Sequence, residues 1–454
     1  LKKIDTDNLM NSIIYKDENK IDQIKNIFKY SNLVFLQGGP GTGKTTLIIK
    51  LILELLQVDN FLNIGLSAPT GKATARLKEA LNDKKNISFS KFLDQIEFQT
   101  LHRWILNSQN KSLKLKFKLK ELDIFIIDEM SMVNIDLIES VLNLLAKDCK
   151  IILVGDKNQL SPVNNCSIWN YLFEYSDNSS IKSCVVNLEK TYRNIGDIAL
   201  ISSLIFNNDF SLLNQKIKEL EKDNNSKEIT ISKSREKDIP KDLLFSITSH
   251  LKQLNISTSN LSKKKYIFDE SIDNLLLNEK DLVDKIFLDL QSHLILCEKN
   301  SGIWSVEYLN EIVFGQKKPY DLKTLKEGVP IMCTKNNNEF GLSNGDIGVL
   351  IGLKNKRKYL FRKFNDNNEE IVALIDPSNL ENVVPAIAIT IHKSQGSESE
   401  KVNILWSQNY RRNQYAVKER KDNQDIFCRD NFERRLFYTA VTRAKKSLNI
   451  YYLN

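Results

Sequence analysis

The sequence predicts an α/β protein, with helix-wrapped parallel sheets in two successive halves and a short-stranded, barrel-like stretch inside the second. Three observations predict it. Apolar runs of strand length end repeatedly in loops of glycine, acid or hydroxyl residues and then pass into segments of helical period. One of these transitions carries the spacing of a phosphate loop. From Leu342 to Val384 the rhythm changes to short strands separated by Asn/Gly turns, as in a small β-barrel.

The organising stretch is Leu33–Gln37, an apolar run, followed by Gly38-Gly39-Pro40-Gly41-Thr42-Gly43-Lys44-Thr45-Thr46. It fits G-x-x-x-x-G-K-[ST] between a strand and a helix predicted from Thr45 to about Leu56, the context that pattern requires. Glycines let several backbone N–H groups converge on one phosphate, and the helix adds its positive N-terminal end. Lys44 then reaches the β- and γ-phosphates, and the Thr45 hydroxyl is offered to Mg²⁺.

The chain of 454 residues is too long for one core and should divide into two to four domains. A net charge of +8 suits a polyanionic partner only weakly, because the lysines are spread along the chain. Cysteines 149, 166, 184, 297, 333 and 428 form no C-x-x-C pair, so neither a zinc site nor a disulfide framework is expected. The longest apolar segment, Leu47–Val58, carries Lys50 and Glu54 and is too short to span a bilayer. With no signal segment at the front, membrane and secreted readings drop out and a reducing cytoplasm is expected.

Ahead of the phosphate loop, Ile21, Ile24, Ile27 and Phe28 share one face of a predicted helix. Gln23 on that helix either reads adenine through its amide or is a solvated helix residue. A second strand, Ile64–Ala68, leads into Pro69-Thr70-Gly71-Lys72-Ala73, and Thr100-Leu101-His102-Arg103-Trp104 follows. Both mix small residues, hydroxyls and bases where the strands of an open sheet end and ligands collect. Between Lys111 and Lys120 leucines and Phe117 alternate with lysines, predicting one arm of a basic hairpin near 105–120 that either tracks phosphates or protects an edge.

Ile124-Phe125-Ile126-Ile127 is a buried strand ending in Asp128-Glu129, two acids that are costly there unless used. With a phosphate loop upstream, Asp128 would hold Mg²⁺ and Glu129 would orient and deprotonate the attacking water. Ile151–Val154 opens into Gly155-Asp156-Lys157-Asn158-Gln159, where Gln159 is placed to sense the γ-phosphate or the water. Residues 207–290 read as long polar loops around short helices, and no chemistry is assigned there. Beyond them come strand-like His293–Cys297 and Ala386–Thr390, the block His392-Lys393-Ser394-Gln395-Gly396-Ser397-Glu398, a helical segment through Tyr438-Thr439-Ala440-Val441-Thr442-Arg443-Ala444, and a last strand. No second phosphate loop accompanies this half, so one site shared across two domains is the economical reading.

Taken in order, these blocks resemble the superfamily 1 DNA helicases and, among them, the RecD family, the α subunit of the RecBCD exonuclease V complex. The resemblance covers about Leu33 to Lys446. Gly38–Thr45 looks like the Walker A motif, Ala68–Ala73 and Thr100–Arg103 like DNA-contacting motifs, Asp128–Met132 like Walker B, Gly155–Leu160 like motif III, and Tyr192-Arg193 like a shorter motif IV. Asn344-Gly345-Asp346-Ile347-Gly348 and the blocks at 392–398 and 438–444 are the most RecD-like.

The resemblance implies two RecA-like P-loop NTPase domains with an SH3-like insertion at about 340–385 in the second. It places the first domain at 1–195, an irregular connecting region at 196–290 and the second domain at 291–454. Lys44, Asp128, Glu129, Gln159, Arg193 and Arg443 would be catalytic, the two arginines as fingers on the γ-phosphate. Gln23, Gly38 to Thr46 and Gly396 would line ATP, with Thr45 and Asp128 on Mg²⁺. Thr70, Lys72, His102, Arg103, His392 and Ser394 would lie along single-stranded DNA.

The implied activity is 5′→3′ ATP-driven unwinding of duplex DNA in double-strand break repair and homologous recombination, with RecB and RecC as partners and no nuclease in this chain. RecD proteins carry a docking domain for RecC before the phosphate loop. Here 37 residues precede Gly38 and the first is Leu1, so that domain is expected to be missing from this sequence. Other readings are a free-standing RecD-like helicase and an ATPase-idle, partner-binding fragment. The charged run between Ser407 and Asn431 reads as a solvated insertion rather than a DNA loop.

Overall fold

The computed structural model describes residues 19–82, 92, 94–109, 116–161, 168–174, 179–189, 196–222, 228–234, 238–264, 279–337, 339–352, 356–364, 370–407 and 431–453. The chain divides into two compact units, Leu1–Asn194 and Ile195–Asn454. No helix among the described residues is long and apolar enough to cross a membrane.

The first unit runs α1 (19–27), β1 (Leu33–Gly38), α2 (Lys44–Val58), β2 (Ile64–Ala68), α3 (Gly71–Asn82), β3 (Ile96–Thr100) and α4 (Leu101–Gln109). It continues with β4 (Ile124–Ile127), α5 (Ile135–Leu142), β5 (Lys150–Gly155), α6 (Ile168–Glu174), α7 (Ser179–Lys182) and β6 (Val185–Leu188). The six strands form one sheet in the order β3-β2-β4-β5-β1-β6, with every pairing parallel. Helices cover such a sheet on both faces, which is why Ile124–Ile127 is apolar throughout and wholly buried. Helix α2 buries Leu47, Ile48, Leu51, Ile52 and Leu56, each contributing roughly 1.5–3 kcal/mol of transfer free energy. Because all strands point one way, their C-terminal ends gather the loops after Gly38, Ala68, Thr100, Ile127 and Gly155 at one edge.

The second unit begins with α8 (Asp197–Phe206), α9 (Phe210–Lys222), β7 (Ile229–Ser234), α10 (Lys241–Ser262), α11 (Lys280–Ser292), β8 (His293–Cys297) and α12 (Val306–Phe314). An antiparallel sheet follows, β9 (Pro330–Cys333), β10 (Ile347–Ile351), β11 (Lys358–Phe364), β12 (Glu370–Ile375) and β13 (Val383–Pro385), in the order β12-β11-β10-β9-β13. The chain closes with β14 (Ile389–Thr390), β15 (Ser399–Trp406), α13 (Asn431–Val441) and β16 (Ala444–Leu453). A parallel sheet, β14-β8-β15-β16-β7, carries this unit. In the antiparallel sheet alternate residues serve two cores. Leu350, Tyr359, Phe361 and Ile375 pack with Leu325 and Leu380, whereas Val349, Leu360 and Val372 pack on Val283, Ile286 and Phe287 of α11.

Two expectations change. Residues 196–290, expected to be irregular, hold α8, α9, α10, α11 and β7, and β7 pairs with β16 as an edge strand of the second parallel sheet. The 22-residue α10 is rich in Ser and Asn, yet Leu243, Ile247, Leu254, Thr258 and Leu261 are buried at helical spacing. Its hydroxyls are satisfied internally or across the packing: Thr258 Oγ1 donates to the Leu254 carbonyl at 2.8 Å, and Ser257 Oγ to the Asp289 carboxylate at 2.5 Å. The expected basic hairpin near 105–120 is also absent from the described residues. Residues 105–109 continue α4, and Leu119–Glu121 form a 3₁₀ turn, held by the Glu121 carboxylate accepting the Lys118 N–H at 3.0 Å and by the fully buried Leu119. The middle of that alternation, 110–115, lies outside the described residues, as do Arg193 and the charged run 408–430.

Candidate active site

The phosphate loop leaves β1 at Gly38. Its curvature rests on glycine at Gly41 (φ +76°) and Gly43 (φ +83°), left-handed positions that a Cβ would strain. Gly38 has a different reason to be glycine: a Cβ there would stand 2.5 Å from Thr42 Oγ1 and 3.0 Å from Leu188 Cβ. Thr42 is buried and donates from Oγ1 to the Gly39 carbonyl at 2.8 Å. Lys44, the first residue of α2, folds over the loop and donates from Nζ to the carbonyls of Gly38 (2.7 Å) and Gly39 (2.9 Å). Pro40 and Thr45 are half-buried and Thr46 is exposed. Gln23 sits on the exposed face of α1, where its Nε2 donates to Asn19 Oδ1 at 3.3 Å.

Asp128 follows β4. Its N–H donates to the Ser67 carbonyl of β2 at 2.9 Å, and its Oδ1 accepts the Glu129 N–H at 2.8 Å. Burial pushes the Asp128 carboxyl up to about 6, and the Glu129 carboxylate acts in the same direction; the Lys44 ammonium and the Glu129 N–H pull it back down. The walls of the loop and the paired acids therefore lie within electrostatic reach. Glu129 holds a left-handed backbone, φ +54° and ψ +42°, which lets the chain leave the sheet edge and at once bury Met130 and Ser131 in the next 3₁₀ turn. Such a conformation in a non-glycine residue costs about 1–3 kcal/mol. After β5, the Asn158 N–H bonds Asp156 Oδ1 at 3.0 Å and the Gln159 N–H bonds the Asp156 carbonyl at 3.2 Å. Gln159 is 3% exposed, and its Oε1 has no hydrogen-bond partner among the described residues.

The residues expected along DNA divide into two groups. In the first unit Thr70 and Thr100 cap helices: Thr70 Oγ1 accepts the Ala73 N–H at 3.2 Å and Thr100 Oγ1 the Arg103 N–H at 3.4 Å. Lys72 is half-buried, whereas His102 and Arg103 are exposed. In the second unit His392 opens a 3₁₀ turn at the end of β14, its ring centroid 6.0 Å from that of Phe432, and burial lowers its pKa. Ser394 is fully buried and donates to the Ile391 carbonyl at 2.6 Å, which makes it a support of the turn rather than a surface contact.

Gly396 completes that turn with φ +69°, next to the side chain of Arg443. Arg443 is 3% exposed, and its guanidinium donates to the Thr439 carbonyl (2.9 Å), the Ser397 carbonyl (3.2 Å) and Thr442 Oγ1 (3.3 Å). The blocks at 392–398 and 438–444 thus meet through one arginine.

Two family descriptions match, an AAA domain over residues 23–165 and a UvrD-like helicase C-terminal domain over residues 354–454. The RecBCD enzyme subunit RecD of Buchnera aphidicola subsp. Schizaphis graminum is 31% identical over 490 aligned positions, covering 98% of this chain and 74% of that protein. This chain belongs to the RecD family. The RecD subunit of Haemophilus influenzae is 28% identical, covering 92% of the chain and 66% of the relative. Among solved structures, the Pif1 helicase from Bacteroides in complex with ADP-AlF3 and ssDNA matches at 18% identity with a TM-score of 0.47, covering 95% of this chain and 91% of that one.

For this RecD-family chain a nucleotide and a divalent cation fit the donor set. The Thr45 hydroxyl and the two carboxylates are hard oxygen donors, and a cation would offset the burial and the Glu129 charge that raise Asp128. The sequence reading passed over Glu298, which follows β8 as Asp128 follows β4. It accepts the N–H and the Oγ of Ser407, and burial pushes it up to about 7. An acid at the end of an apolar strand, Leu294–Cys297, was the available signal.

Proposed function

We propose that this chain is an ATP-driven 5′→3′ DNA helicase of the RecD kind, acting in double-strand break repair and homologous recombination with RecB and RecC subunits. The observation that carries the reading is the gathering of Lys44, Asp128, Glu129 and Gln159 at one edge of one parallel sheet, in a chain of which 98% aligns with 74% of a RecD subunit. Both units are read as RecA-like, and the antiparallel sheet from Pro330 to Pro385 as the SH3-like insertion of the second. In this reading the backbone N–H groups of Gly41 to Thr46 and the Lys44 ammonium bind the phosphates. Mg²⁺, held by the Thr45 hydroxyl and the Asp128 carboxylate, would neutralise charge on the β- and γ-phosphates when bound.

Glu129 orients a water and takes its proton as the water oxygen bonds to the γ-phosphorus; the bond to the β–γ bridging oxygen breaks, and ADP and inorganic phosphate leave. Gln159 senses that site. Arg193 and Arg443 are the candidate arginine fingers, with Gly396 on the nucleotide. Thr70, Lys72, His102, Arg103 and His392 are the candidate contacts to single-stranded DNA, with Ser394 holding the His392 turn. Gln23 is the candidate adenine contact. The direct test is DNA-stimulated ATP hydrolysis by the purified protein and its Lys44→Ala variant. Turnover is expected in the first and background in the second, and undiminished turnover in Lys44→Ala would overturn the site.

A further inference from the structure

We propose that Trp169, through Gln37, is a positioning residue that sets the three nucleotide loops of the first unit against one another. This rests on the ATPase reading above. Gln37 is the last side chain of β1 before the phosphate loop, paired in register with Gly155 of β5 and Asn187 of β6. Its Oε1 accepts the Trp169 indole N–H at 2.9 Å. An indole can only donate, so the Gln37 amide must turn its oxygen to it, and its Nε2, in a residue 4% exposed, is left without a partner among the described residues. A buried amide is not held in that orientation cheaply.

Trp169 touches the base of two of the loops, and its helix packs on the third. Its ring lies against Gly155, where a Cβ would stand 2.8 Å from the indole, so Gly155 is the seat of the ring and the start of the Asp156–Gln159 loop. Its helix α6 packs on the Met130–Met132 turn directly after Asp128-Glu129. Phe35 and Phe173 fix the ring, with centroids 5.9 and 4.9 Å away. Ser131 Oγ and Gln159 Oε1, two further buried polar atoms without a partner among the described residues, lie on the turn that α6 packs against and on the loop that starts at Gly155. Trp169 and the helix that carries it therefore tie together the strand ends that launch the phosphate loop, the paired acids and Gln159.

The test separates positioning from packing. Trp169→Phe keeps a ring against Phe35 and Phe173 but removes the N–H, and Gln37→Met keeps volume but removes the acceptor. Each is expected to lower kcat of DNA-stimulated ATP hydrolysis about tenfold while the ATP Kd stays within about twofold, since small misplacement of reacting groups costs turnover before affinity. The double variant is expected to lose no more than either single one, because both cut the same link. Unchanged kcat in both variants, or losses that multiply, would overturn the proposal. A melting temperature that falls while kcat holds would make Trp169 packing alone. Absence of ATPase in the unaltered protein would instead strike the reading on which this rests.

Discussion

At the residue scale, Glu129 is where stability and chemistry pull apart. In the proposed reaction its carboxylate takes the water's proton, yet its backbone stands at φ +54°, a conformation that glycine adopts freely. Glu129→Ala and Glu129→Gly both remove the carboxylate and should both drop turnover by about 10²-fold or more. They differ only in conformation. The glycine variant is expected to melt about 2–4 °C above the alanine variant, as roughly 1 kcal/mol of released strain requires in a unit of this size. Equal melting temperatures in a thermal scan would mean that the turn carries no strain. Only one of the two features was legible: the acid pair was plain in the sequence, but nothing in Ile127-Asp128-Glu129-Met130 announces a left-handed residue, because the need for it comes from burying Met130 and Ser131 immediately afterwards.

At the scale of elements, the second parallel sheet is cross-linked by side chains that must stay neutral. Asn449 Nδ2 donates to Asn403 Oδ1 at 2.9 Å, which turns Asn403 Nδ2 toward His293 Nε2 at 2.5 Å, so β16, β15 and β8 are joined in a row. Since Asn403 donates, His293 Nε2 accepts and the proton sits on Nδ1. His250 of α10 lies beside it with its ring tilted by 56°, centroids 4.9 Å apart. Burial, the partner His250 and Lys401 push His293 down to about 3; burial pushes His250 down to about 4, with Asp289 pulling it back up. Both folded values lie below the ordinary 6.5. The unfolded chain therefore binds protons below about pH 6.5 that the folded chain refuses, and stability falls with pH from there toward pH 4, by about 1–2 kcal/mol per histidine at pH 5. Urea denaturation at pH 7 and pH 5 should show this loss, and His250→Gln should reduce it; an unchanged slope would show that the pair is not the cause.

At the scale of the whole molecule, the candidate chemistry is divided between two compact units. Lys44, Asp128, Glu129 and Gln159 belong to the first, and His392, Gly396 and Arg443 to the second. Expressed alone, residues 1–194 should bind ATP with near-native Kd but turn it over about 10³-fold more slowly, the scale of a missing arginine finger. Full turnover by that fragment would remove Arg443 from the reaction. The phosphate loop, the acid pair and the parallel sheet could be read from the sequence because each is local: a few consecutive residues at fixed spacing fix a turn, and an apolar run between two loops fixes a strand. The long helix α10, the capture of β7 by β16, the burial of Arg443 under Ser397 and the grip of Trp169 on Gln37 were decided by tertiary structure. In each, the partner stands tens to hundreds of residues away, and the deciding quantity is which polar groups burial forces together, which no local pattern records.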